Sequence, residues 1–282
     1  PLTDVITWAD SRCRPDAAHL REELDERLVH SRTGCMLRAS FWPAKLHWLR
    51  RTSPGVFHRV KRWMSPAEWV QIQLTEGAHC AFGMATGTGL LNPSTLQWDP
   101  ELLDVLCITN AQLLPLGDTA SEASARTLRE FPELKGAKWI PSIGDGAASN
   151  LGSGCTEPGL AAINVGTSAA LRVMMSGQKA KAPFGLFCYR VDTERFLVGG
   201  AVSNAGNLRA WCLETLQTPD KEDLEDLLSK RPGPNHGLTV LPFWTAERAP
   251  RWNEDSKGAI LGITQATTGL DLFQAITEAT YH

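Results

Sequence analysis

Three glycine-rich turns, each beside a short run of β-forming residues, lie between residues 144 and 207 and constrain this chain most. They are Gly144-Asp145-Gly146, Gly166-Thr167-Ser168, and Gly199-Gly200 followed by Gly206-Asn207. Glycine has no Cβ, so such turns bring backbone close to whatever they face. The β-like runs cover residues 139–143, 161–165 and 170–174. Residues 187–191 and 195–198 flank Asp192-Thr193-Glu194, the pattern of a hairpin. Helices are expected directly after Gly206, over 222–228 and over 270–280.

The first third reads differently. After a strand-like opening at residues 5–8 it is helical. Leu20, Leu24 and Leu28 mark one face of a helix over 16–30. Trp42, Leu46 and Leu49 mark another over 41–49. Ser65-Pro66-Ala67-Glu68 is a capping box with proline at the first helical position, so a helix runs from there to about Leu74. Most of the tryptophans here are read as packing. Helices and strands in blocks imply α/β or α+β layers.

Length and charge narrow the class. At 282 residues two domains are expected. Basic residues number 28 and acidic residues 31, which gives no electrostatic footprint for nucleic acid. No apolar run is long enough for a membrane helix, and the opening residues lack a signal-peptide pattern. The seven cysteines are odd in number and none forms a CxxC pair, which reads as reduced thiols in a cytoplasmic protein. The seven histidines make no zinc pattern.

Familiar catalytic loops fail when tested. No Walker A loop occurs. Gly87-Thr88-Gly89 begins a dinucleotide fingerprint, but Asn92 stands at its third glycine. A hydrolase using Ser168 would need a glycine where Ala170 stands, and no histidine is placed as its partner. What remains is the set of turns. Asp145, isolated between two glycines, can accept a proton from a hydroxyl nucleophile, or can simply bond its own turn. Gly166-Thr167-Ser168 offers N–H and O–H donors to a phosphate, or is an ordinary hairpin turn. Gly206 opens a helix, whose N-terminus favours an anion. Together the three turns point to phosphoryl transfer.

The residues then resemble the FGGY family of carbohydrate kinases along the whole chain, most closely its gluconokinase-like and xylulokinase-like members. Residues 6–12 resemble a Trp-x-Asp-x-Arg segment, and Lys45-Leu46-His47-Trp48-Leu49 the core of the first family signature. Gly144-Asp145-Gly146 with Ser149-Asn150-Leu151-Gly152 resembles the catalytic-aspartate segment, and Gly166-Thr167-Ser168 the second phosphate motif. Residues 258–263, Asp271-Leu272 and Ala275-Ile276 resemble the second signature. Trp42, Thr277 and Ala246 depart from the pattern, the last standing where glycine is usual. Thr7-Trp8-Ala9-Asp10, Phe187-Cys188-Tyr189 and Glu247-Arg248-Ala249-Pro250 favour a gluconokinase.

The resemblance implies an α/β, ribonuclease-H-like (actin-type ATPase) fold of two domains, both incomplete. Residues 1–165 are the remainder of an N-terminal sugar-binding domain with a helical insertion, and 166–282 the start of a C-terminal nucleotide-binding domain. It implies ATP and magnesium as cofactors and a small sugar or sugar acid as substrate. Asp145 becomes the general base, a sugar contact and a magnesium ligand. Gly166, Thr167, Ser168 and Gly206 line the nucleotide site, while Trp8 and Asp10 lie near the sugar. Arg12, Arg38 and Arg248 are the candidate cations for a sugar acid's carboxylate. A homodimer stays open. The family's first phosphate loop and its adenine-binding segment are not found here, so the chain on its own is expected to have little kinase activity. The rival readings are a xylulokinase or another sugar kinase of the family, and a catalytically dead sugar-binding module.

Overall fold

The structure is a computed structural model that describes residues 1–233 and 235–281, with only the backbone at 221 and 222. Residues 5–8 form no strand. No ladder partner exists for them among the described residues, and Val5 is exposed. A β-prone run without a neighbour cannot satisfy its backbone as a strand. The first helical pattern breaks in two, α1 (Arg14–Glu23) and α2 (Glu26–Thr33). Leu24 is extended, and the Asp25 carboxylate accepts the N–H groups of Arg27 at 2.8 Å and Leu28 at 3.3 Å. This cap starts a new helix and turns Leu28 outward.

Next come α3 (Trp42–Thr52), α4 (Pro54–Phe57) and α5 (Pro66–Leu74). The capping box of α5 is formed as its residues predict. Ser65 N–H donates to Glu68 Oε2 at 2.6 Å, and Glu68 N–H to Ser65 Oγ at 3.3 Å. After α6 (Phe82–Thr88), β1 (Leu91–Asn92) pairs with β2 (Gln97–Trp98). Then come α7 (Pro100–Val105), β3 (Ser121–Glu122), α8 (Ala125–Glu130) and β4 (Lys138–Trp139), with β4 antiparallel to β3. Of the expected strand over 139–143 only Trp139 pairs. Pro141 removes a ladder donor, and Ile140 is exposed.

The second half contains α9 (Asp145–Gly152), β5 (Ala161–Val165), β6 (Ala169–Ser176), β7 (Phe187–Arg190) and β8 (Arg195–Val202). These four strands form one sheet in the order β5-β6-β8-β7. The expected hairpin is β7–β8, in register Phe187↔Gly199 through Arg190↔Phe196. Gly199 and Gly200 therefore lie inside a strand, not in a turn. The chain ends with α10 (Gly206–Thr215), α11 (Lys221–Lys230), β9 (Thr239–Leu241), β10 (Ala259–Leu261) and α12 (Gly269–Ala279).

Packing divides the chain into two compact units, Pro1–Ala162 with Arg172–Gly199, and Ile163–Leu171 with Gly200–His282. The first unit buries Leu20, Leu46, Leu49, Phe57, Leu90, Leu102 and Leu106 in one cluster. The second buries Leu208, Cys212, Leu224, Phe273 and Ile276. Glycines of the second signature are packing residues of this unit. Gly262 has φ +90°, and a Cβ on Gly258 would strike the Trp244 ring. Asp271 closes a capping box with Thr268 at the start of α12. Cys13, Cys35, Cys80, Cys188 and Cys212 are buried free thiols. Among the described residues no helix is long and apolar enough to cross a membrane.

Candidate functional site

Asp145 is the first residue of α9, with Gly144 as N-cap, rather than a turn residue at a strand end. Ala147 and Leu151, one helical turn apart, pack α9 onto Met174, Val191 and Leu197. That anchoring leaves Asp145 on the exposed side. Its Oδ1 accepts the Gly146 N–H at 2.6 Å. The first turn of a helix favours a negative side chain. The two glycines differ in purpose. Around Gly144 there is open space, whereas a Cβ on Gly146 would lie 2.7 Å from Nε of Arg172. Buried Asn150 donates to the carbonyls of Cys155 at 3.3 Å and Arg172 at 3.4 Å, which holds the far end of α9.

Trp8 and Asp10 share a turn closed by Asp10 N–H donating to the Thr7 carbonyl at 3.2 Å. Trp8 is 65% exposed, so core packing does not explain it. Asp10 is gripped by Arg12, whose Nε donates to both carboxylate oxygens at 3.0 Å and whose Nη2 lies 2.5 Å from Oδ2. Arg12 in turn lies over the Trp48 ring, 4.5 Å from its centroid. Buried Lys45 donates from Nζ to the Asp10 carbonyl at 3.1 Å. Lys45 was legible as a signature lysine, and its part in holding this turn was not. Asp145 shares no hydrogen bond with Trp8 or Asp10 among the described residues.

The Arg12 side chain, then its backbone N–H, holds the Asp10 carboxyl down at about 2 against an ordinary 3.8. The folded value lies below the unfolded one. The linked stability is therefore full above the ordinary value and is lost as pH falls through about 2. An NMR titration of the Asp10 carboxyl should give a midpoint near that low value, and Arg12→Gln should return it toward the ordinary one. An ordinary midpoint in the unaltered chain would show that the fork is not held in solution.

The three arginines nominated for a substrate carboxylate are all engaged. Arg12 is committed to Asp10. Arg38 pairs with Glu26 and donates to the Leu37 carbonyl at 2.9 Å. Arg248 donates to Ser203 Oγ at 3.1 Å and the Val202 carbonyl at 3.0 Å. Beside it, Ala246 has φ +63°. That left-handed backbone explains the glycine usual at this position, since a Cβ costs roughly 1–2 kcal/mol there.

In the second unit the structure brings Gly166, Thr167 and Gly206 together. The turn between β5 and β6 is closed by Gly166 N–H donating to the Ser168 carbonyl at 2.9 Å. The start of α10 abuts it. Gly206 N–H donates to the Gly166 carbonyl at 2.9 Å, and Asn207 N–H to the Thr167 carbonyl at 3.2 Å. Leu208 N–H donates to the Ala205 carbonyl at 3.0 Å. The anion expected at this helix start would find those three donors already used. The donors left over belong to the turn. The N–H and hydroxyl groups of Thr167 and Ser168 have no partner among the described residues.

A Cβ on Gly206 would sit 2.5 Å from the Gly166 carbonyl oxygen. Gly206→Ala should therefore push the turn away from α10 and cost about 1–3 kcal/mol. Urea unfolding and amide exchange at Thr167 measure the two effects. Wild-type values for both would mean that turn and helix are not locked together.

A mixed α/β chain whose second half sets a hydroxyl-bearing glycine turn against a helix start has the parts of the actin-like ATPase fold. Two family models identify it. Residues 1–152 match the N-terminal domain of the FGGY family of carbohydrate kinases, and residues 161–281 match its C-terminal domain. The chain belongs to the FGGY family of carbohydrate kinases. It is 28% identical over 293 residues to a gluconokinase of Bacillus subtilis, covering 99% of this chain and 57% of that one. A glycerol kinase of Polaromonas sp. is 31% identical, with 99% and 58% covered. Among solved structures, a ligand-bound xylulose kinase from Lactobacillus acidophilus superposes with TM-score 0.88 at 29% identity, covering 99% of this chain and 58% of that one. A gluconate kinase from the same organism gives 0.87 at 28%, with the same coverage. The chain thus spans less than two thirds of the length of these relatives.

Proposed function

We propose that this chain supplies the sugar side and the beginning of the nucleotide side of an ATP-dependent sugar kinase that acts on gluconate. In this reading residues 1–165 hold the sugar and residues 166–282 begin the nucleotide domain. The carrying observation is the Gly166–Ser168 turn. Its carbonyls are tied to α10 while Thr167 and Ser168 keep N–H and O–H donors without partners. Phosphate oxygens take such donors.

Among the described residues no three metal-ligating groups gather. Magnesium is usually held by one or two carboxylates together with substrate phosphates and water. Exposed Asp145 is the carboxylate available for it. ATP, when bound, supplies the transferable phosphoryl group. Asp145 accepts the proton of the sugar's terminal hydroxyl. A carboxylate base suffices, since in a loose transition state the hydroxyl proton leaves late. Trp8 and the braced Asp10 turn lie near the sugar.

Gluconate as acceptor is supported by the similarity to the Bacillus gluconokinase and by the Thr7–Asp10 and Glu247–Pro250 segments. The test is a substrate panel on a full-length protein containing this chain. Gluconate should give a higher kcat/KM than xylulose or glycerol. A preference for either of those changes the acceptor and keeps the kinase. No phosphorylation of any of them overturns the kinase reading.

A further inference from the structure

One face of α2 meets the loop between β6 and β7 in the first unit, and the two enclose a recess of about 200 Å³. The helix contributes Arg27, His30 and Ser31, spaced at i, i+3 and i+4, and its C-cap Gly34 follows. The loop contributes Lys181 and Phe184, with Ala180 and Ala182 as small apolar wall. No carboxylate lines the recess. Neither Arg27 nor Lys181 has an acidic partner among the described residues. The nearest acids in sequence are already used. Asp25 caps α2, and Glu26 is paired with Arg38.

The cations are also presented in an ordered way. The Arg27 guanidinium lies over the Phe184 ring, 4.3 Å from its centroid. Phe184 is held edge-on against His30 at 5.3 Å. His30 is 3% exposed and bonds through Nε2 to the Leu186 carbonyl at 2.7 Å. A guanidinium held flat on an aromatic ring keeps its edge of N–H donors for an oxyanion, at little entropic cost. Two unpaired cations over one recess, one of them held in place by packing, is an arrangement that repels cations and selects an anion.

We propose that this recess is a binding site for a phosphate group, either inorganic phosphate or a phosphate monoester of a small polyol. Its lining includes no residue of the Asp145 segment, and the proposal does not depend on the kinase reading. The chemistry is Arg27 as a fork to two phosphate oxygens and Lys181 as the opposing charge, while the Ser31 hydroxyl is already donated to the Leu28 carbonyl at 2.8 Å.

The test titrates the chain by calorimetry with inorganic phosphate in one arm and glycerol phosphate in the other. Arg27→Gln, Lys181→Gln and, as a remote exposed control, Arg59→Gln are titrated alongside, with circular dichroism confirming their fold. Saturable binding of either probe at roughly millimolar or tighter is expected. Each of Arg27→Gln and Lys181→Gln should weaken it about tenfold or more. Tighter binding of the monoester means the polyol part is also held, and equal binding means phosphate alone is read. The proposal is overturned if neither probe saturates, if the two variants bind like the unaltered chain, or if Arg59→Gln weakens binding as much as they do.

Discussion

Asp145→Asn in a complete protein is expected to abolish measurable phosphoryl transfer while leaving sugar affinity within a few-fold. The amide has nearly the shape of the carboxylate and can still accept the Gly146 N–H that Asp145 accepts at 2.6 Å. It cannot accept the hydroxyl proton. Loss of a general base costs about 10²–10⁴-fold. Loss of a magnesium ligand would add to that. A coupled assay for ADP release, with sugar binding followed separately, divides the two effects. Turnover at the unaltered rate would remove Asp145 as the base. Loss of sugar binding together with turnover would assign it to sugar binding instead.

Arg190→Met should be strongly damaging for stability, at about 1–3 kcal/mol. Arg190 is 1% exposed. Its Nε donates to the Pro93 carbonyl at 2.6 Å, and its Nη1 to the carbonyls of Gly177 and Thr193, both at 3.0 Å. Its Nη2 donates to the carbonyl of Gln178. Burial pushes the guanidinium pKa down, and these carbonyls hold the charge in place of a carboxylate. Methionine fills similar space and leaves four carbonyls without that donor, of which the one on buried Pro93 is shielded from water. Arg190→Lys should not rescue, because a point charge cannot reach acceptors arranged for a planar fork. Urea denaturation measures both. A loss below about 1 kcal/mol for Arg190→Met would show that the carbonyls find other donors.

How much of this was legible depends on how far apart the interacting residues are. The capping box at Ser65 and Glu68 spans three residues, and the structure forms it as read. The hairpin around Asp192-Thr193-Glu194 and the turn at Gly166–Ser168 also close within a few residues, and both are present. The family itself was legible because its motifs occur in order along the chain, and both family models match. The misreadings arose where periodicity was trusted across a break. Leu20, Leu24 and Leu28 have helical spacing, yet Asp25 caps a new helix between them. Residues 5–8 have the right composition for a strand and no neighbour to pair with.

The candidate site divides in the same way. Asp145, Gly166, Thr167 and Gly206 were picked out because glycine and isolated polar residues are conspicuous in sequence. Why they are as they are was not readable. A Cβ on Gly206 would meet the fixed Gly166 carbonyl, whereas one on Gly146 would meet only the end of the Arg172 side chain. Arg12, Arg38 and Arg248 looked like cations for a substrate, and each already has a partner. Arg190 looked like one residue of a strand.

Local spacing and turn chemistry were thus determined by the sequence alone: where helices are capped and where the chain turns. Those properties depend on neighbours a few positions away. Tertiary structure alone decided which charged groups are spent and which stay available. An arginine and the carbonyl it serves can stand 97 residues apart, as Arg190 and Pro93 do, and only folding brings them together.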